Sequence, residues 1–486
     1  MAEDFLHGIE TIENDSGARP VQTVKSSVIG LIGTAPDADP INWPLDKPIL
    51  ITGQRGVPAG LASAGGELGD ALDAIFDQQS ATVVAVRVQK GANIAATVGN
   101  LIGSSTALTG LHAFRRAGPE LGVKPRMLIA PGYTSYRPAD GARAIAVLDG
   151  GKDWVLETTV ITISGGGIVG AKARPVIVGG VITEVIVTNP GQGGSQGDTI
   201  ATVVGAGSGA QLEVTIGTVA NPVVAESLGI AERLRAMIAA DGPNLTKEAA
   251  LTYRQDWGSD RIMVIDPHVK VYKGASVVTQ PTSARAVGIQ AKLDTTKGFW
   301  WSPSNQVLNG VIGIARPIEW AINDRDTEAN YLNEHHITTV IRDYENGGFK
   351  LWGNRVTSGD TLKLFWSVRR THDMIIESVE WACMTFVDRP FSRQLLLDIA
   401  DTVNAYLRSL RRRGAILGGV CWLDPTLNTP DVLAAGKLFI SYDAEGPAPM
   451  EHLVFEFNRN TGYYRELTEQ AAREIARLSS SNLAAA

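Results

Sequence analysis

Between residues 158 and 218 the chain abandons any helical period and becomes a series of β-branched runs parted by glycine clusters. The runs are Thr159-Val160-Ile161-Thr162-Ile163, Val181-Ile182-Thr183-Glu184-Val185-Ile186-Val187 and Leu212-Glu213-Val214-Thr215-Ile216. Such runs predict short strands, and the glycines predict tight turns between them. This segment holds 14 of the chain's 52 glycines, so the excess over the roughly 7% of ordinary proteins is a local feature. A compact all-β sandwich or barrel over about residues 158–218 is expected, carried on a loop of a different architecture, where insertions are tolerated because their ends stay close.

The flanking sequence predicts that architecture. Pro48-Ile49-Leu50-Ile51-Thr52, then Leu68, Ala71, Leu72, Ile75 and Phe76 at helical spacing, then Thr82-Val83-Val84-Ala85-Val86, predict a βαβ unit. Further buried strands are expected at residues 126–132 and 261–267, with a helix over 225–240 carrying Leu228, Ala231, Leu234 and Ile238 on one face. The fold class that follows is multidomain α/β with a largely parallel sheet. Beyond it, Ser392 caps an expected helix with Leu395, Leu396, Ile399, Val403, Tyr406, Leu407 and Leu410 on its apolar face, ended by Arg411-Arg412-Arg413 and Gly414. Strands are expected over 415–422, 437–442 and 453–457, and a polar amphipathic helix over about the last fifteen residues. The first 22 residues, with Gly8-Ile9-Glu10-Thr11-Ile12-Glu13, predict an extended arm without a nearby partner strand.

Composition excludes several functions. With 44 Lys+Arg against 51 Asp+Glu and no basic block longer than Arg411-Arg412-Arg413, direct binding of nucleic acid is not expected. Cys383 and Cys421 are too few for a disulfide framework and fit folding in a reducing cytoplasm. No basic region followed by an apolar run opens the chain, and its apolar stretches fall short of the roughly 18 residues a membrane span needs. A soluble chain without membrane insertion is expected.

Motifs for chemistry fail on context. Gly165-Gly166-Gly167-Ile168-Val169-Gly170 matches a dinucleotide fingerprint in spacing, but Pro175 and a β-branched run follow where a helix must open. Gly53-Gln54-Arg55-Gly56-Val57-Pro58-Ala59-Gly60 lacks the Gly-Lys-Ser/Thr of a phosphate loop. His335 and His336 are adjacent, so their side chains diverge and do not share one ion without distortion. No nucleophile elbow occurs, and both cysteines sit among apolar neighbours as core thiols. No catalytic residue, cofactor or metal is expected.

Longer patterns resemble a known family. Leu6-His7-Gly8-Ile9-Glu10, Ser27-Val28-Ile29-Gly30-Leu31-Ile32-Gly33-Thr34-Ala35-Pro36 and Pro44-Leu45-Asp46-Lys47-Pro48 are similar to the opening of contractile-tail sheath proteins. Gly122-Val123-Lys124-Pro125-Arg126, Tyr331-Leu332-Asn333-Glu334, Phe349-Lys350-Leu351-Trp352-Gly353-Asn354-Arg355, Arg389-Pro390 and Asn428-Thr429-Pro430-Asp431-Val432-Leu433 continue the likeness in order over nearly the whole chain. Residues 133–221 depart from the compact members of that family.

The resemblance implies a structural, non-enzymatic subunit with a subtilisin-like α/β core lacking the triad. It further implies an α+β C-terminal sheath domain and extended terminal arms. The expected division is an arm at 1–22, a central domain at 23–132 plus 222–365, the β insertion at 133–221, a C-terminal domain at 366–450 and a C-terminal arm at 451–486. Such subunits stack as hexameric rings around a tail tube in a phage or bacteriocin particle. They meet baseplate and terminator proteins, are assembled in the host bacterial cytoplasm, and contract to drive the tube through an envelope. Strand donation between neighbours falls to Gly8, Ile9, Glu10, Thr11 and Ile12 at one end and to Leu453, Val454, Phe455, Glu456 and Phe457 at the other. Arg411, Arg412 and Arg413 are candidates for the surface facing the tube. Two alternatives stay open at this point: a surface-recognition or carbohydrate-binding virion protein using the β insertion, and an α/β hydrolase with an unrecognised site.

Overall fold

Short runs that alternate between two apolar faces build the central sheet of the computed structural model, which describes residues 21–61, 65–345 and 347–484. The chain passes through β1 (Ile29–Thr34), β2 (Pro48–Thr52), α1 (Leu68–Phe76), β3 (Thr82–Val88), α2 (Ile94–Ile102), α3 (Ala117–Leu121) and β4 (Met127–Ile129). Six strands follow without a helix: β5 (Gly141–Lys152), β6 (Val160–Gly165), β7 (Lys172–Val178), β8 (Val181–Asn189), β9 (Thr199–Val204) and β10 (Ser208–Gly217). The α/β pattern resumes with α4 (Pro222–Leu234), β11 (Met237–Asp241), α5 (Lys247–Gln255), β12 (Ile262–Ile265), the hairpin β13 (Val269–Lys273) and β14 (Ser276–Gln280), and α6 (Ser283–Thr296). It closes with β15 (Gln306–Val307), β16 (Gly313–Ile314), α7 (Glu328–Glu334), β17 (Ile337–Arg342) and β18 (Phe349–Trp352).

The main sheet has the order β15-β18-β17-β12-β11-β4-β1-β3-β2. From β17 to β3 every pairing is parallel, and the marginal strands β2, β15 and β18 pair antiparallel. Ile29, Leu31, Val83, Ala85, Met127 and Met263 face one apolar cluster, while Ile32, Val84, Val86, Leu128, Ile262 and Val264 face the other. This is the two-sided burial expected of parallel strands between layers of helices.

The fold departs from the sequence expectation at two elements. The segment from β2 through α1 to β3 is not a βαβ unit: β2 runs antiparallel to β3 at the margin, and the parallel neighbour of β3 is β1. Gly30 gives β1 its central place, because a Cβ there would come within 2.7 Å of Leu128 Cδ2. The helix expected over 225–240 is two elements. Helix α4 stops at Leu234, Arg235 turns into the left-handed region at φ 50°, and residues 237–241 form the fully buried β11. The run Met237-Ile238-Ala239-Ala240 suits either period, and the slot between β4 and β12 decides it as strand.

The strands from β5 to β10 form two sheets, β5 with β10 and β8-β7-β6-β9, around Ile145, Trp154, Ile161, Ile163, Ile182, Val185 and Val214. Glycine is required where the chain passes against Trp154. At Gly207 a Cβ would stand 2.3 Å from Trp154 Cδ2. Residues 165–170, which matched the dinucleotide spacing, run from the last residue of β6 into its connection to β7. The stem is tight: Val219 N–H donates to the Pro138 carbonyl at 2.9 Å. Asn221 caps α4 and donates to the Tyr133 and Tyr136 carbonyls.

The C-terminal region contains α8 (Trp366–Cys383) and α9 (Arg393–Arg412), with Ser392 Oγ accepting from Leu395 N–H at 3.1 Å. Leu395, Ile399, Val403, Tyr406, Leu407 and Leu410 are buried, Val403 to Leu410 packing in one cluster with Met374, Ile375 and Val379 of α8. Leu396, expected on the same face, is half-buried. The strands expected over 415–422 and 437–442 are much shorter: β19 (Cys421–Trp422) and β20 (Ser441–Tyr442), separated by α10 (Pro430–Ala434). Side-chain amides replace ladder partners around them. Asn404 bonds both the N–H and the C=O of Cys421, and Asn428 does the same for Phe439.

Residues 450–486 form a second compact unit. Among the described residues the strand expected over 453–457 has no ladder partner, and residues 450–460 carry no regular structure. The final helix is longer than expected, α11 (Gly462–Ala484). The arm residues Gly8, Ile9, Glu10, Thr11 and Ile12 lie outside the described residues. Among the described residues no helix is long and apolar enough to cross a membrane.

Candidate assembly surfaces

Helix α8 joins the C-terminal region to the central sheet through charges rather than apolar packing alone. Arg370, Asp373, Glu377 and Glu380 recur at three- and four-residue spacing and therefore share one face. Three arginines answer the three acids, each just upstream of one of three adjacent strands: Arg126 before β4, Arg235 before β11 and Arg261 before β12. Arg126 bonds Glu377, both 4% exposed, and Lys124 Nζ joins the same carboxylate at 3.0 Å. Arg261 holds Asp373 at 2.6 and 3.2 Å, and Arg235 holds Glu380 at 2.5 and 2.7 Å. Arg370 reaches Asp294 of α6 with two bonds, at 2.6 and 2.9 Å.

Burial pushes the Glu377 carboxyl up, but the Arg126 hydrogen bond and charge, with Lys124, overcome it and hold the group at about 2. The Glu380 hydrogen bonds raise Arg235 above its ordinary value. This row of pairs was not foreseen. Its signal was present as a lone arginine ahead of each apolar run and as acids at i, i+4 and i+7.

A second carboxylate ties down the β insertion. Glu226 of α4 meets Lys172 Nζ of β7 at 2.7 Å, Asn189 Nδ2 of β8 at 3.1 Å and His112 Nε2 at 2.8 Å. Against the upward push of burial, the His112 and Lys172 hydrogen bonds hold this carboxyl at about 2. Arg137 adds a two-bond grip on Asp256 at 2.7 and 2.9 Å. Trp154 is the one aromatic residue of 141–217 and is 6% exposed, so the strands β5 to β10 present no aromatic platform of the kind on which sugar rings stack.

The serine nearest to a catalytic setting is closed. Ser283 donates its Oγ to Asp241 Oδ2 at 2.5 Å and its N–H to Oδ1 at 2.8 Å, and both residues are fully buried. Burial pushes the Asp241 carboxyl up. The bonds pin the start of α6 to the end of β11 and leave the hydroxyl out of reach of a substrate. His335 and His336 diverge, Nδ1 of the first facing the Tyr331 carbonyl and Nδ1 of the second facing Arg254.

Exposed apolar and basic side chains are numerous after residue 410. Residues 21–26 cross the C-terminal region before entering β1: Thr23 Oγ1 is 3.1 Å from the Tyr406 hydroxyl, Val24 N–H donates to Ser378 Oγ, and Arg370 donates to the Ser26 carbonyl. The β19–β20 sheet has two strands, and around it Leu417, Val420, Trp422, Leu423, Leu427 and Phe439 are exposed. In residues 453–457 the side chains of Leu453, Val454, Phe455 and Phe457 are 55 to 89% exposed. Glu456 is exposed as well. Arg411, Arg412 and Arg413 are exposed at the end of α9, with the Arg413 guanidinium 5.4 Å from the Trp300 ring centre.

Comparison with known proteins is decisive. Residues 214–357 match the family model of the phage tail sheath protein central domain, and residues 358–459 match that of the phage tail sheath C-terminal domain. The tail sheath protein of Burkholderia phage BcepMu is 35% identical over 95% of this chain and 98% of its own length. The chain belongs to the tail sheath protein family. The tail sheath protein of Escherichia phage P2 is 30% identical over 93% of this chain and 94% of its own.

Among solved structures, the helical sheath of the anti-feeding prophage in its contracted state is similar in fold, with TM-score 0.58 and 16% identity over 94% of this sheath chain and all of the other. The sheath complex of the PVC extracellular contractile injection system, also contracted, gives TM-score 0.57 and 14% identity over 95% of this chain and all of that one. The fold is thus that of sheath subunits, a mixed α/β multidomain arrangement.

Proposed function

We propose that the chain polymerises as stacked hexameric rings around a tail tube and contracts from a metastable extended state to drive that tube through a bacterial envelope. One observation carries the reading: among the described residues, a two-stranded sheet has exposed apolar side chains around it, and Leu453, Val454, Phe455 and Phe457 are exposed in a segment without a ladder partner. Two strands alone are marginal in water, and a third or fourth contributes the missing ladder. A strand added by a neighbour supplies it while leaving the joined bodies free to turn. Repeated by a screw rotation that does not close, such a heterologous contact generates a tube.

In this reading Leu453, Val454, Phe455, Glu456 and Phe457 form the donated strand, with Leu453, Phe455 and Phe457 on one face. Gly8, Ile9, Glu10, Thr11 and Ile12 form the second, since residues 21–26 lead to them from the C-terminal region. The ionic row on α8 and the Glu226 contacts make each subunit move as one body, so that contraction repacks contacts between subunits. The work comes from the free-energy difference between two packings, which needs no nucleotide and no catalytic residue.

The subtilisin-like description of the core, the division at residues 22, 132, 221, 365 and 450, and the cytoplasmic assembly of the particle belong to the same proposal. So do the partners: the tail tube, the baseplate and the tail terminator. Arg411, Arg412 and Arg413 are assigned to the tube face, where salt-screened contacts release readily. The buried Trp154 speaks against the carbohydrate-binding alternative.

Assembly of variants tests the reading. Deleting residues 1–20, or introducing Val454→Pro to remove a ladder donor, is expected to leave a folded monomer by circular dichroism and abolish large polymers in sedimentation velocity. Unchanged polymers from both variants would overturn it.

A further inference from the structure

The family match ends at residue 459, and α11 begins three residues later. The helix is 23 residues long, and its side chains up to residue 479 are exposed. Its apolar residues are not scattered. Tyr464, Leu467, Ala471, Ile475 and Leu478 follow three- and four-residue steps and make one stripe, with Tyr464 63%, Leu467 62%, Ile475 64% and Leu478 57% exposed. A helix in a soluble protein draws most of its stability from packing such a stripe, so an uncovered one calls for a partner.

Charge narrows the partner. Arg465, Arg473 and Arg477 balance Glu466, Glu469 and Glu474, so the helix lacks the cationic face that an anionic membrane or nucleic acid attracts. The tether narrows it further. Four residues separate Phe457 from Gly462, and Asn460 Oδ1 accepts from Gly462 N–H at 2.8 Å to fix the turn into the helix. The five Cα-to-Cα steps from Phe457 to Gly462 span at most about 18 Å, so the helix starts within that distance of wherever residues 453–457 are bound. Asn404 holds Cys421 to α9 by two bonds, so a strand added to the β19–β20 sheet lies beside exposed Leu417, Val420, Leu423 and Phe439.

We infer that α11 docks its Tyr464-Leu467-Ala471-Ile475-Leu478 stripe on a second copy of this chain, the same copy that accepts the 453–457 strand. The inference rests on the strand-donation reading and extends it: the strand is a hinged tie, and the helix is a latch that sets how firmly adjacent subunits hold.

Hydrogen exchange on the full chain, read separately for residues 453–457 and 462–478, tests this in dilute monomer and in assembled polymer. Assembly is expected to slow exchange in both segments at least tenfold. Slowing of the strand alone overturns the latch and leaves strand donation standing, and slowing of the helix alone supports docking and overturns the donated strand. Helix amides already protected in the monomer to the same degree as in the polymer also overturn the latch, because the stripe is then covered within one chain. The double variant Leu467→Glu/Ile475→Glu leaves the strand intact. It is expected to raise the critical concentration for assembly at least tenfold with an unchanged monomer spectrum; a change below twofold contradicts the proposal.

Discussion

Replacing Glu377 by Gln keeps the size of the side chain and removes the charge that compensates Arg126 in a setting where both are 4% exposed. Two routes give the magnitude. A carboxyl held at about 2 rather than 4.5 is stabilised in its charged form by about 3 kcal/mol. Breaking a buried ion pair from one side costs about 3–5 kcal/mol, because the remaining charge stays buried and unpaired. The expected loss is therefore about 3 kcal/mol, localised to the seam between α8 and the N-terminal ends of β4, β11 and β12. Urea unfolding followed by tryptophan fluorescence reports it, since Trp366 is fully buried in the same helix. Exchange of the β4 amides should accelerate in parallel. A loss below about 1 kcal/mol would refute the reasoning, because that is the range of exposed surface pairs.

The same groups set the response to acid. Glu377 and Glu226 both have folded-state values lowered from 4.5 to about 2, so their stabilisation is complete above pH 4.5 and is lost as pH falls toward 2. Acid titration of the monomer is expected to show the main loss inside that window, and Glu377→Gln should flatten it. Glu226→Gln is expected to loosen the β insertion, which limited proteolysis detects as faster cleavage in the 133–140 and 218–221 stems while the central sheet stays protected. Gly207→Ala places a methyl 2.3 Å from Trp154 Cδ2, and about 1–3 kcal/mol of overpacking is expected, read as loss of the Trp154 near-ultraviolet signal. Arg411→Glu/Arg412→Glu is expected to leave self-assembly intact and weaken binding to purified tube polymer at least tenfold; unchanged binding removes both residues from the tube face.

Much of the fold was legible where one period dominated. The helix at 393–412, with its serine cap and apolar stripe, and the wholly apolar strands at 127–129 and 262–265 are of this kind. Legibility failed where tertiary context chose. Residues 237–241 fit a helix as well as a strand, and only the empty slot between β4 and β12 resolves them. The reversed direction of β2 depends on β1 occupying the position beside β3, which no local pattern of residues 48–86 records. The strands expected over 415–422 and 453–457 are a different case, since β propensity is realised only where a ladder partner exists. The buried ionic row was hidden because pairs such as Arg126 with Glu377 are 251 residues apart, and a charge at a strand entrance is usually solvated. The family likeness was legible because its motifs recur in order along the whole chain.

The central claim is that copies of this chain are tied into a tube by strands donated from one subunit to the next. Helical reconstruction by electron cryomicroscopy of the assembled full chain tests it most directly. The account predicts six subunits per ring, with residues 453–457 running as an added strand on the β19–β20 sheet of a neighbouring copy. Residues 453–457 folded onto the sheet of their own subunit, or a chain that stays monomeric at high concentration, would contradict it.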